Sequence, residues 1–136
     1  MNDNISELKK KWNWEKTILP ATDEEIKSFE SLNGLLIPKD LTNYFKLVNG
    51  TDGYDEGFFQ FYPLNLFQPF DLNKSLHVFA DYQCKLFLYV IRLHEVERKS
   101  NEVFIFCGND YKFLCNSFTE FVDLCLNDSQ KLFFND

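Results

Sequence analysis

Two histidines, four cysteines and 21 acidic residues are the groups in this 136-residue chain that could do chemistry. An enzyme needs such groups gathered as acid, base, nucleophile or metal ligand. His77 sits in a strand-like alternation and His94 at the end of an apolar run, so each reads as a structural or surface residue. No Gly-x-Ser-x-Gly elbow presents a serine nucleophile. The five glycines are dispersed, so no glycine-rich loop is there to cradle phosphates. Asp52, Asp55 and Glu56 are dense, but they lack the alternating ligands and closing glutamate of a calcium loop. Cys84, Cys107, Cys115 and Cys125 include no pair with the two-residue separation of a zinc knuckle or redox pair. All four read as reduced core thiols. The expectation is a protein with no catalytic residue, no metal and no cofactor.

What the sequence does concentrate is acid beside aromatic. Between Gly50 and Tyr82 lie Asp52, Asp55, Glu56, Asp71 and Asp81 against one base, Lys74, a net of −4. The same window holds Tyr54, Phe58, Phe59, Phe61, Tyr62, Phe67, Phe70, Phe79 and Tyr82. Aromatic anchors ringed by one sign of charge suit a protein interface. The plainer alternative is that the aromatics are core and the acids a solvated rim. Asp52, Tyr54, Asp55, Glu56, Asp71, Asp81 and Tyr82 are the candidate partner-binding residues.

The whole chain carries −7 at neutral pH, with a pI near 4.8. Such a balance opposes non-specific nucleic-acid binding, which needs a basic face, and suits a basic protein partner. Lys9-Lys10-Lys11 is the one basic run and reads as a solvated helix face. No secretory leader is legible, and no apolar run approaches the ~20 residues of a membrane span. A cytoplasmic protein is expected.

The elements that must position these residues follow from periodicity and caps. Asn4 and Glu7 suggest a helix start, with Ile5, Leu8 and Trp12 on one face. Trp12 and Trp14 are expected to cover the core. Thr22 and Glu25 form a capping box for a helix with Ile26, Phe29 and Leu32 inward, ending at Gly34. Pro38 suits the first position of the next helix, whose Leu41, Tyr44, Phe45 and Val48 make one stripe. Gly50 would close that helix in the left-handed region. Thr51 to Gly57 reads as a loop, residues 58–62 as a strand and Pro63 to Ser75 as an irregular connection. Strands follow at 76–82, 86–93, 102–106 and 111–115. Ser117 and Glu120 cap a last helix with Phe118, Phe121, Val122 and Cys125 inward. Leu132-Phe133-Phe134 should tuck back onto the core. Helices, then strands, then a helix imply one α+β domain over 1–136. Its antiparallel sheet should have about 4–6 strands, with helices from both ends of the chain packed against it. Residues 1–20 form a helical N-terminal extension.

An acidic helix ending Asn33-Gly34, Ile37 before Pro38, then an aromatic-rich helix ending Val48-Asn49-Gly50, resembles the SUKH superfamily. So do Val78-Phe-Ala-Asp-Tyr82 before an apolar strand and Asn116-Ser-Phe-Thr-Glu-Phe-Val-Asp-Leu-Cys-Leu126. The resemblance covers roughly residues 20 to 128, judged by the order of these stretches. Gln83-Cys84-Lys85 stands where many relatives have a glycine-rich turn. The superfamily groups yeast cell-wall assembly regulators with bacterial immunity proteins of polymorphic toxin systems. The resemblance implies a non-catalytic domain that binds a cognate, basic toxin in the cytoplasm. A regulatory interaction module of the yeast type is one alternative, and a small hydrolase another.

Overall fold

The computed structural model describes residues 4–70 and 73–134. Four helices and six strands make one α+β unit. Helix α1 is Asn4–Lys11, α2 Asp23–Asn33, α3 Lys39–Leu47 and α4 Phe118–Leu126. The strands are β1 Phe59–Phe61, β2 Gln68–Phe70, β3 Asn73–Tyr82, β4 Phe87–Arg92, β5 Val103–Cys107 and β6 Asp110–Cys115. The sheet is antiparallel throughout, in the order β1-β3-β4-β5-β6, with β2 also paired to β3. β1 and β2 thus share one edge of β3, where Pro69 loses no ladder bond it would need. The expected irregular connection from Pro63 to Ser75 therefore contains β2 and the start of β3.

Capping chemistry sets the helix boundaries. Thr22 Oγ1 accepts from Glu25 N–H at 3.1 Å while Glu25 Oε1 accepts from Thr22 N–H at 2.8 Å, so the capping box is complete. Gly34 closes α2 with φ of +66°. Leu32, expected inward, is 87% exposed. Six residues after Ile26 the helix has turned about 240°, which carries Leu32 to the far side. Helix α3 ends at Leu47, before the expected glycine cap. Gly50 still needs its φ of +90°, for another reason: an added Cβ would meet Phe61 O at 2.7 Å.

Helix α4 fills the sheet's inner face. Phe121 is wholly buried, with ring centroids 4.9 Å from Phe79, 5.1 Å from Tyr89 and 6.1 Å from Phe61. Helix α1 lies against α4, and Asn4 Nδ2 donates to Thr119 O and Asp123 Oδ1, both at 3.2 Å. Lys11 Nζ donates to Leu126 O at 2.8 Å and pairs with Asp128, placing positive charge at the C-terminal end of α4. The tail returns as expected: Leu132 is buried, and Phe133 packs on Phe59, Tyr82 and Phe87. A bulge at Phe79 shifts the register of β3 against β4. It sets Ala80 opposite Tyr89 and Asp81 opposite Leu88.

One expectation about the cysteines changes here, and the place of His77 becomes definite. Cys115 and Cys125 are buried and Cys107 half-buried, but Cys84 is exposed at the β3–β4 turn. A turn tip has no core behind it, so strand-like neighbours did not ensure burial. His77 is completely buried between Phe29 and Phe67, and neither ring nitrogen has a partner among the described residues. Desolvation holds it neutral and pulls its pKa down to about 4.

Candidate partner-binding surface

The acidic loop is built by two stretches far apart in sequence. After α1 the chain reverses at Asn13, and residues 14–18 run beside residues 50–56. Ile18 N–H donates to Gly50 O at 3.1 Å, Asp52 N–H to Lys16 O at 2.9 Å, and Glu56 N–H to Trp12 O at 3.2 Å. Thr17 and Thr51 form an isolated antiparallel bridge. Buried Thr51 fixes the loop's base, accepting from Phe61 N–H at 3.1 Å and donating to Gly53 O at 2.7 Å. Between the two stretches opens a cleft of about 320 Å³, lined by residues 13–16 and 51–56. Glu15, Asp52, Asp55 and Glu56 face one lysine, Lys16, around it.

Asp55 is the cleft's inner post. Its Oδ2 accepts from the Trp14 indole N–H at 2.8 Å, and its Oδ1 from Gly57 N–H at 2.9 Å and Phe59 N–H at 3.0 Å. Burial pushes its pKa up to about 6, against the pull of those N–H donors. Trp12 stacks on Phe59 with centroids 4.7 Å apart and planes 12° apart. Only a glycine fits at position 57, because an added Cβ would lie 2.3 Å from the Trp12 ring.

Asp81 anchors the loop's other end. It is completely buried. Oδ1 accepts from Tyr54 O–H at 2.6 Å and from Lys85 N–H at 3.1 Å, and Oδ2 from Tyr62 O–H at 2.5 Å. These are charge-assisted bonds, and together they satisfy a carboxylate that burial would otherwise penalise heavily. Burial first, then the Asp81 carboxylate, pushes both tyrosine hydroxyls up. The bond to Lys85 N–H closes a turn in which Gln83, Cys84 and Lys85 have φ of 46°, 54° and 71°. Three consecutive non-glycine residues in the left-handed region are strained, so the turn depends on this bond and on Gln83 N–H to Phe58 O at 2.9 Å. Here a side-chain brace holds a turn that contains no glycine.

The seven candidate residues therefore separate. Asp52 and Glu56 are exposed at the mouth of the cleft. Tyr54 is 41% exposed, with its hydroxyl bonded to Asp81. Asp55 is half-buried and occupied by Trp14. Asp71 lies outside the described residues. Asp81 does not belong on a partner surface, because its carboxylate is enclosed and fully used. Tyr82 belongs to the core rim: it stacks on Phe87 at 14° and meets Phe59 and Phe133. One residue apart on β3, Asp81 and Tyr82 point to opposite faces of the sheet. Sequence reading missed residues 13–16, which nothing in their own composition marks as neighbours of residue 52. It also missed Tyr62 as the second donor to Asp81.

His94 Nε2 lies 3.7 Å from Glu102 Oε1, and Arg92 Nε lies at the same distance from that oxygen. Among the described residues no cluster of three or more His, Cys, Asp or Glu side chains is placed to hold a metal. No helix among them is long and apolar enough to cross a membrane.

Helices α2 and α3, the six strands and the brace at Asp81 all lie within one matched stretch. The model of the SMI1/KNR4 family (SUKH-1) matches residues 20–124. The chain belongs to that family. The match spans α2 to most of α4, so this SUKH-1 chain carries α1, residues 12–19 and the returning tail outside it. No curated protein matches the chain.

Proposed function

We propose that this SUKH-1 chain is a non-catalytic immunity protein, which binds a cognate basic toxin in the cytoplasm and blocks it. The observation that carries the reading is the cleft between residues 13–16 and 51–56. Asp52, Asp55 and Glu56 stand on a loop held by Thr51 at its base and by Tyr54 on Asp81. A pre-ordered acidic rim loses little conformational entropy when a partner docks. Asp52 and Glu56 supply the field that draws in a basic surface, and the partly exposed Tyr54 supplies apolar contact. A nuclease toxin, whose substrate site is basic, fits that chemistry. The chain's overall charge of −7 has the same sign as the rim.

The test is co-expression of the full chain with the toxin-like product of the adjacent gene. Protection of the cells, and co-purification of an inactivated form of that product, are the expected results. Loss of neither on reversing Asp52 and Glu56 to lysine would reject the assigned surface. Absence of both with the native chain would reject the immunity role.

A further inference from the structure

We propose that the N-terminal segment from Trp12 to Ile18 sets the partner specificity of this surface, with Trp14 as the residue that positions the acidic loop. The inference deepens the immunity reading and rests on it. Three observations support it. The segment lies outside the residues the family model matches, yet its carbonyls at Trp12 and Lys16 hold the amides of Glu56 and Asp52, the two exposed acids of the rim. Trp14 is buried, and its indole N–H donates to Asp55 across 41 positions of sequence, at 2.8 Å. Asn13 Nδ2 then ties the carboxylates of Glu15 and Glu56 into one rim, at 3.2 and 3.0 Å. The matched core thus has its cleft closed on one side by a strip that lies outside the match. Changing the strip alters both which charges line the cleft and how the loop is held.

The partner class follows from the mixture of groups the strip contributes. Glu15 of the strip, with Asp52 and Glu56 opposite, would grip a basic side chain inserted between them, and Lys16 would repel one placed off centre. A protein presenting a protruding arginine or lysine fits the cleft better than a flat basic surface.

Trp14 and Asp55 can be read directly. The titratable or charged groups around Asp55 are Asp52 and Glu56 on its own loop, Glu15 and Lys16 on the strip, and Cys125 on α4; its β1 neighbour Phe59 has none. With its carboxyl pushed up to about 6 by burial, protonating Asp55 weakens the acceptor that Trp14 uses. The indole N–H resonance of Trp14 in the full chain should therefore titrate with a midpoint near that value, and that of Trp12 should stay flat. A Trp14 signal flat from about pH 4 to 8 would overturn the assignment.

Trp14→Phe keeps an aromatic ring, though a smaller one, and removes the donor. The amides of Asp52 and Glu56 should then exchange about tenfold faster, the factor implied by losing one charge-assisted hydrogen bond. Asp55→Asn is the second variant, and the two changes together should do little more than either alone. Wild-type exchange in both variants would overturn the proposal. The adjacent gene's product, used as the binding probe, separates this failure from failure of the immunity reading. If charge reversal at Asp52 and Glu56 abolishes binding while Trp14→Phe leaves rates and exchange unchanged, the surface stands and the strip's role falls. If Trp14→Phe loosens the loop and neither variant alters binding, the surface itself is misplaced, and the proposal falls with it.

Discussion

Tyr54 and Asp81, 27 positions apart, are joined by a 2.6 Å hydrogen bond that ties the acidic loop to the central strand β3. With Tyr62 completing the pair of hydroxyl donors, the carboxylate becomes a fastening and not a contact residue. Removing one donor leaves a buried charge short of a partner. Tyr62→Phe is therefore expected to lower unfolding stability by about 1.5–3 kcal/mol in urea titrations. Tyr54→Phe should cost less, because that ring is partly exposed and water can replace its hydroxyl. An effect below about 0.5 kcal/mol at Tyr62 would show the brace to be dispensable.

Phe45 tests the helical side of the core. It is wholly buried, beside Tyr44 and edge-on to Phe67. Phe45→Ala removes a large side chain and leaves a cavity, so a loss of about 3–5 kcal/mol is expected. The same unfolding assay measures it, and a near-neutral result would contradict the placement of α3.

Thiol chemistry should resolve into classes. Cys84 is exposed, Cys107 half-buried, and Cys115 and Cys125 enclosed. Burial pushes Cys115 up to about 12 and Cys125 upward as well. Ellman titration of the native protein should give one fast thiol, lost in Cys84→Ser, with the two enclosed ones reacting only on unfolding. Two or more equally fast sites would contradict these placements.

His77 gives a pH signature. Its folded pKa is lowered to about 4 from the ordinary 6.5. The unfolded chain thus takes up a proton first, and stability falls as pH drops from about 6.5 towards 4, levelling below. Asp55, raised to about 6, acts in the opposite sense between its ordinary value and 6. The histidine contribution is isolated by comparison with His77→Phe, which should flatten the decline in urea midpoint between pH 7 and 4.5. An unchanged slope would show that His77 is not held neutral by burial.

Much of the fold was legible because it is written in local chemistry. The capping box at Thr22 and Glu25, the stripe from Phe118 to Cys125 and the apolar run of β4 each fix an element within a few residues. Leu32 was misassigned because a three-residue step, repeated, drifts around the helix. The site was less legible, since it depends on contacts across 27 to 43 positions. Composition marked Asp52, Tyr54 and Glu56 correctly as loop residues, but it cannot distinguish an acid at the rim from Asp81 beneath it. The parity of β3 decides that, and the bulge at Phe79 shifts this parity without any glycine to announce it. The contribution of residues 13–16 became visible only once α1 had been packed on α4.

The central claim is that Asp52 and Glu56 form the rim that draws in a basic partner. The direct measurement is surface plasmon resonance of the full chain against the inactivated product of the adjacent gene, at two salt concentrations. The account predicts that reversing both acids to lysine slows association far more than it speeds dissociation, and that added salt slows the native pair towards the variant's rate. Association at the native rate by the charge-reversed protein, with cells still protected, would contradict it and leave these acids as a solvated rim.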